Sequence, residues 1–162
     1  YEGNVENGLP HGQGTLTTDG GDRYEGSFQK GEFDGQGEYL WANGARYLGG
    51  WNEGRRSGVG LMEWSNGDYY EGEWKDGAPD GSGLMIWSDG IEYEGEWVDG
   101  EPQGFGVYRE PDGLRYEGSF EGGRAAGGVL TVPSGEQYWA TMDVDGDWQW
   151  EHPIDPSRDA GE

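Results

Sequence analysis

The chain has 162 residues, 35 of them glycine and only 31% hydrophobic, and carries a formal charge of −23 from 33 acidic and 10 basic residues. Such a field repels phosphate backbones and anionic lipid head groups, so nucleic acid and an anionic membrane surface are both poor partners. There is no cysteine, which excludes disulfides, thiolate metal sites and cysteine nucleophiles.

Glycine far above the average of about 7% raises the prospect of disorder, but nine Trp and ten Tyr at fixed phase are what disordered segments lack. Tyr1, Tyr24, Tyr47, Tyr70, Tyr93 and Tyr116 each open a copy of one 23-residue phrase. Units this short bury a core only between neighbours, which predicts a solenoid and tilts function toward binding and scaffolding. Because Tyr1 stands inside a unit with no initiator methionine, the chain is expected to be a fragment of something longer.

Numbered from its tyrosine, each unit begins with a predicted strand. Position 1, the glycine at position 3 (Gly3, Gly26, Gly49, Gly72, Gly95, Gly118) and the residue at position 5 (Val5, Phe28, Trp51, Trp74, Trp97, Phe120) share one face. Position 2 points the other way and is Glu2, Glu25, Glu71, Glu94 or Glu117, with Leu48 the exception. A turn follows at the glycine of position 8, often after Asn7, Asp76 or Asp99, residues that accept positive φ. The second strand opens on glycine pairs such as Gly58 with Gly60 and Gly81 with Gly83. It continues on the same face through Leu16, Tyr39, Met62, Met85 and Tyr108 at position 16 and Trp41, Trp64 and Trp87 at position 18. Glycines on that face leave places where a ring can lie directly on backbone. A last turn, Asn43-Gly44, Asn66-Gly67, Asp89-Gly90, Asp112-Gly113 or Ser134-Gly135, leads into the next copy.

The sixth copy loses one residue between Gly127 and Gly128, so the next tyrosine, Tyr138, arrives early. The predicted organisation is six repeats over 1–137, a degenerate seventh over 138–150 that caps the array with Trp139, Met142, Trp148 and Trp150, and an extended or disordered tail over 151–162. The fold class is all-β: an elongated, single-layered solenoid of antiparallel β-hairpins, one per repeat.

Catalytic chemistry finds little support. His11 falls in a turn and His152 in the tail, neither beside an evident nucleophile. The carboxylates recur at outward-facing position 2, the pattern of a solvated face. Asp143-Val144-Asp145-Gly146-Asp147 has the start of a calcium loop but puts Trp148 where the sixth-position glycine belongs and Ile154 where the closing acid belongs, so it reads as an acidic turn. No cofactor, metal or catalytic residue is assigned. The candidate binding residues are Tyr47, Trp51, Trp64, Tyr70, Trp74, Trp87, Tyr93 and Trp97: packing rings whose surface, in a sheet with one layer, is expected to stay accessible in a groove over residues 47–110.

The phrase Tyr-Glu-Gly-x-Trp-x-x-Gly-x-x-x-Gly-x-Gly, whole at Tyr70 to Gly83 and Tyr93 to Gly106, resembles the MORN repeat, the membrane occupation and recognition nexus family. The resemblance covers about residues 1–150, with departures at Val5, Leu48, Glu110 and the shortened sixth unit. It implies twisted antiparallel hairpins with an aromatic groove that dock partner proteins, sometimes dimerise, and accompany lipid kinases, methyltransferases or exchange factors. The membrane role in the family's name fits this acidic chain poorly. The expectation is a non-enzymatic protein-interaction or scaffold module for a partner with a basic or amphipathic segment, with a homodimer as a further option. A regulatory appendage of an enzyme outside this fragment and a carbohydrate- or lipid-binding array stay open as alternatives. The compartment is left open, with a soluble intracellular setting expected.

Overall fold

The computed structural model describes residues 1–154. It contains one antiparallel sheet of 14 strands whose spatial order follows the chain. The first six hairpins are β1 (Glu2–Glu6) with β2 (Leu9–Thr17), β3 (Arg23–Gln29) with β4 (Glu32–Leu40), and β5 (Arg46–Asn52) with β6 (Arg55–Glu63). They continue as β7 (Tyr69–Lys75) with β8 (Ala78–Ile86), β9 (Glu92–Val98) with β10 (Glu101–Arg109), and β11 (Arg115–Glu121) with β12 (Arg124–Thr131). β13 (Gln137–Met142) and β14 (Trp148–Pro153) form the C-terminal hairpin. Paired structure thus reaches three residues past Trp150 into the expected tail, and the rest of that tail, 155–162, lies outside the described residues. Among the described residues no helix is long and apolar enough to cross a membrane.

Each repeat's own hairpin closes through two residues that both have positive φ, such as Asp76 (φ 49°) and Gly77 (φ 90°) between the paired Lys75 and Ala78. This is the mirror-image turn that matches strand twist. Lys30 (φ 51°) and Glu53 (φ 47°) hold the same geometry without the side chain that usually eases it. The glycine that follows each of them, and the turn's backbone bond from Gly31 to Pro10 or from Gly54 to Phe33, hold those residues in place.

Past this turn the hairpin bulges. In β7 and β8, Trp74 pairs with Pro79 and Gly72 with Gly83, so Glu73 faces Asp80, Gly81 and Ser82, with Gly81 at φ 108°. In the sixth copy Phe120 pairs with Ala125 and Ser119 with Gly127, leaving only Ala126 over, while Gly118 still pairs with Gly128. The missing residue has been taken out of the bulge.

The connecting turns are built differently. The Trp64 amide donates to the Asp68 carbonyl at 2.9 Å and the Gly67 amide to the Trp64 carbonyl at 2.9 Å. Successive turns are laced together, since the Asp22 carboxylate accepts from the Ala42 amide at 2.9 Å and the Asp68 carboxylate from the Ser88 amide at 2.8 Å. Bonds from Asn66 and Ser88 hold the Asp68 carboxyl below its ordinary range. The C-terminal hairpin closes with this second kind of turn, the Asp143 amide donating to the Asp147 carbonyl at 3.0 Å.

The core lies on one face of the sheet. Tyr24, Tyr47, Tyr70, Tyr93 and Tyr116 are each no more than 1% exposed, and Phe28, Trp51, Trp74, Trp97 and Phe120 are buried between them. The rings form an unbroken row: Tyr70 meets Trp74 at 5.1 Å and Trp97 at 5.4 Å, both edge to face, and Tyr93 meets Trp97 at 5.1 Å and Phe120 at 4.8 Å. Such pairs contribute about 0.5–1.5 kcal/mol each beyond burial. Every tyrosine hydroxyl in the row reaches back to its own strand; Tyr47, for instance, donates to the Gly50 carbonyl at 3.0 Å and Tyr93 to the Glu96 carbonyl at 2.9 Å. Indole N–H groups tie copy to copy, from Trp74 to the Gly60 carbonyl at 3.1 Å and from Trp97 to the Gly83 carbonyl at 3.2 Å. The tyrosine ring rests on bare backbone: a Cβ added at Gly106 would come within 2.6 Å of Tyr93. Burial pushes the phenols of Tyr24, Tyr47 and Tyr93 up to about 12.

The opposite face is solvated. Glu25, Glu71 and Glu94 are exposed there, and ion pairs join Arg23 with Glu25, Arg46 with Glu38 and Glu63, Arg109 with Glu92 and Glu94, and Arg115 with Glu117. Exposed pairs of this kind contribute little to stability, about 0–1 kcal/mol each.

Candidate functional site

The ring-bearing face has two levels, and alternation along the strands does not distinguish them. Of the eight candidate binding residues, Tyr47, Tyr70 and Tyr93 are at most 1% exposed, and Trp51, Trp74 and Trp97 are 8%, 3% and 4% exposed. These six are packing residues. The three tyrosine rings lie on glycine backbone and the three indoles pack edge to face between them, so the six offer a partner almost no surface. Trp64 and Trp87 are half-buried and belong to an upper level with Tyr39, Trp41, Tyr108 and Trp148, which rests on the core and keeps one side toward solvent. On this face the accessible rings are therefore those of positions 16 and 18, together with Trp148 of the C-terminal hairpin.

Position 10, which the sequence argument passed over, completes the face. It is Pro10, Phe33, Arg56, Pro79, Pro102 and Ala125 along the array, a change of residue type that hides its periodicity. Phe33 stacks on Tyr24 with centroids 3.8 Å apart. Arg56 lays its guanidinium 4.3 Å over Trp74 and 5.8 Å from Tyr47, donates through Nη2 to the Gly77 carbonyl at 2.6 Å, and approaches the Met62 sulfur at 3.6 Å. Burial lowers its pKa from the ordinary guanidinium value.

Toward the C-terminal hairpin the face deepens into a hollow of about 480 Å³ between Trp87, Asp89, Ile91, Pro102, Tyr108 and Trp148. Trp148 of β14 stands 5.9 Å from Tyr108 of β10 and 5.1 Å from Tyr116. Strands four places apart in a flat sheet are separated by about 19 Å at ~4.8 Å per strand, so the sheet curls toward its ring-bearing face here. The rim is acidic. The Tyr108 hydroxyl donates to Glu110 at 3.0 Å, and burial, that bond and the nearby charges of Asp89 and Asp112 together raise its pKa well above the ordinary phenol value.

Elsewhere the chemistry is structural. The acidic turn wraps on itself, the Asp143 carboxylate accepting from the amides of Asp145 and Asp147 at 3.0 Å each and from Gln149 at 2.8 Å. Among the described residues no three His, Cys, Asp or Glu side chains come together in a way that could hold a metal ion. His11 lies within β2 and not in a turn as expected, 3.3 Å from the Glu6 carboxylate and open to solvent.

Comparison with solved structures finds similarity at low sequence identity. The TCP domain of SAS-4 (dCPAP) from Drosophila melanogaster, in complex with a proline-rich motif of Ana2 (dSTIL), superposes with a TM-score of 0.50 at 16% identity, covering 79% of this chain and 70% of that one. The TCP10 domain of Danio rerio CPAP, in complex with a STIL peptide, gives a TM-score of 0.32 at 15% identity over 86% of this chain and 66% of that one. No curated protein matches the sequence. The family model of the MORN repeat matches five consecutive units, residues 1–23, 24–46, 47–69, 70–92 and 93–115, and stops at the copy whose bulge is short. With the same contact of tyrosine on glycine recurring in those units, the chain belongs to the MORN repeat family.

Proposed function

We propose that the chain is a non-enzymatic interaction module that docks an extended or helical, basic segment of a partner protein across the upper level of rings between residues 47 and 110, with the C-terminal hairpin capping the array. The observation that carries this is the half-buried series Trp64, Trp87 and Tyr108, aromatic surface held rigidly above a closed core. Aromatic side chains on a fixed scaffold lose little entropy on binding, which suits them as anchors. The charge of −23 steers a basic segment toward them. The Drosophila SAS-4 domain, which shares the fold, is bound to a proline-rich motif, and this supports a peptide as the occupant of a one-layered sheet.

The test is to capture partners, map the bound segment to a peptide, and measure its affinity for Trp64→Ala and Trp87→Ala. Each replacement is expected to weaken binding roughly tenfold, as loss of an anchor of about 1–2 kcal/mol does. Undiminished affinity in both variants, with binding abolished by Glu71→Lys and Glu94→Lys on the opposite face, would move the docking surface there.

A further inference from the structure

Two repeats after Arg56, the chain reproduces that arginine's surroundings without the arginine. Arg56 is held by Tyr47, Trp74, Met62 and the Gly77 carbonyl. The residues in register with these are Tyr93, Phe120, Tyr108 and Gly123, and Pro102 occupies the register position of Arg56 itself. All five line the hollow of about 480 Å³ next to the C-terminal hairpin. Proline is too short to fill the space that an arginine side chain fills in the third repeat. These walls recur in the fourth repeat, as Tyr70, Trp97, Met85 and Gly100 around Pro79, and in the fifth, where Trp148 encloses them, while the guanidinium is supplied only in the third.

Resting on the docking function above, we propose that this hollow receives an arginine side chain of the partner segment, above the register position that Arg56 takes on its own chain. Tyr93 and Phe120, at 1% and 4% exposure, form the floor of the hollow, and the rings that a guanidinium reaches there are the half-buried Tyr108 and Trp148. Tyr108 replaces the Met62 thioether, and Trp148 closes the side that the third repeat leaves to solvent. Asp89 on the wall and Glu110 behind the Tyr108 hydroxyl supply the charge. Arginine fits better than lysine because a planar guanidinium stacks on a ring and still donates sideways to a turn carbonyl, as Arg56 does to Gly77. A lysine ammonium has no face to stack.

The experiment is an NMR titration of the whole chain with a short peptide carrying one central arginine between uncharged residues, alongside its citrulline and lysine counterparts. The expected result is a saturable shift of the Trp148 indole N–H and the Gly123 amide with the arginine peptide. Binding should be roughly tenfold weaker with citrulline, which keeps the shape and loses the charge. Pro102→Arg, which places the arginine in cis, should abolish the shift while leaving the melting temperature unchanged or higher. Equal shifts from all three peptides, or shifts that persist in Pro102→Arg, would overturn the proposal. The citrulline comparison uses the unaltered chain and so decides the matter even where the variant fails to fold. Shifts confined to the outer acidic face would overturn the arginine site alone, since Trp64→Ala and Trp87→Ala test the docking face separately.

Discussion

The two faces of this one sheet are made by the same strands, yet they are subject to different rules. On the inner face a tyrosine recurs in every unit because its ring lies on glycine backbone and its hydroxyl has one carbonyl within reach; no other side chain meets both demands. On the outer face Glu71 and Leu48 occupy equivalent positions, both exposed, because nothing there has to fit. The recurrent contact of tyrosine on glycine marks packing on the inner face, whereas the outer face tolerates exchange of an acid for an apolar side chain.

The contrast predicts a ranked set of effects. Trp74→Ala removes a buried indole, its bond to Gly60 and its contacts with Tyr47 and Tyr70, and is expected to cost about 3–5 kcal/mol in denaturant unfolding. A cost no greater than that of an outer-face change would abolish the distinction. Gly106→Ala forces a methyl group against the Tyr93 ring and is expected to cost about 1–3 kcal/mol, and a neutral result would mean that the ring can slide along the backbone.

Alkaline titration sharpens the comparison further. Tyr24, Tyr47 and Tyr93 have folded pKa values raised to about 12, so the fold favours the neutral phenol. Their contribution is complete below the unfolded value of about 10 and is lost as pH rises through about 12. Phenolate absorbance should show a late group of tyrosines that ionise together with loss of the β-sheet signal, and a single transition near the ordinary value would refute their burial. The smallest effect belongs to Glu71→Ala on the outer face, expected to change stability by no more than about 0.5 kcal/mol in the same unfolding assay. A larger loss would show that the acidic coat also fixes structure.

Much of this is legible in the sequence. The phase of the tyrosines assigned faces, and the glycine pairs announced rings on backbone, because both follow from period-two geometry and the missing Cβ. Depth was not legible. Tyr47 and Trp64 share a face, but Tyr47 has glycine beneath it and an indole against it from its own strand and from the next repeat, and alternation carries no information about height. Position 10 was hidden because its periodicity is one of place, with Phe33, Arg56 and Pro79 sharing no chemistry. The C-terminal hairpin retains a ring pattern but closes with the connecting turn, a change of turn type that its degenerate sequence does not announce.

The bulge beside each hairpin turn acts as an expansion joint. Because it carries two spare residues in the fourth copy and one in the sixth, chain length can vary there while Gly118 still meets Gly128 and Tyr116 still meets Phe120. Insertions or deletions at that point leave the beat of the rings undisturbed, so the true period of the array is a count of strands, and units of 22 or 23 residues are interchangeable links in it.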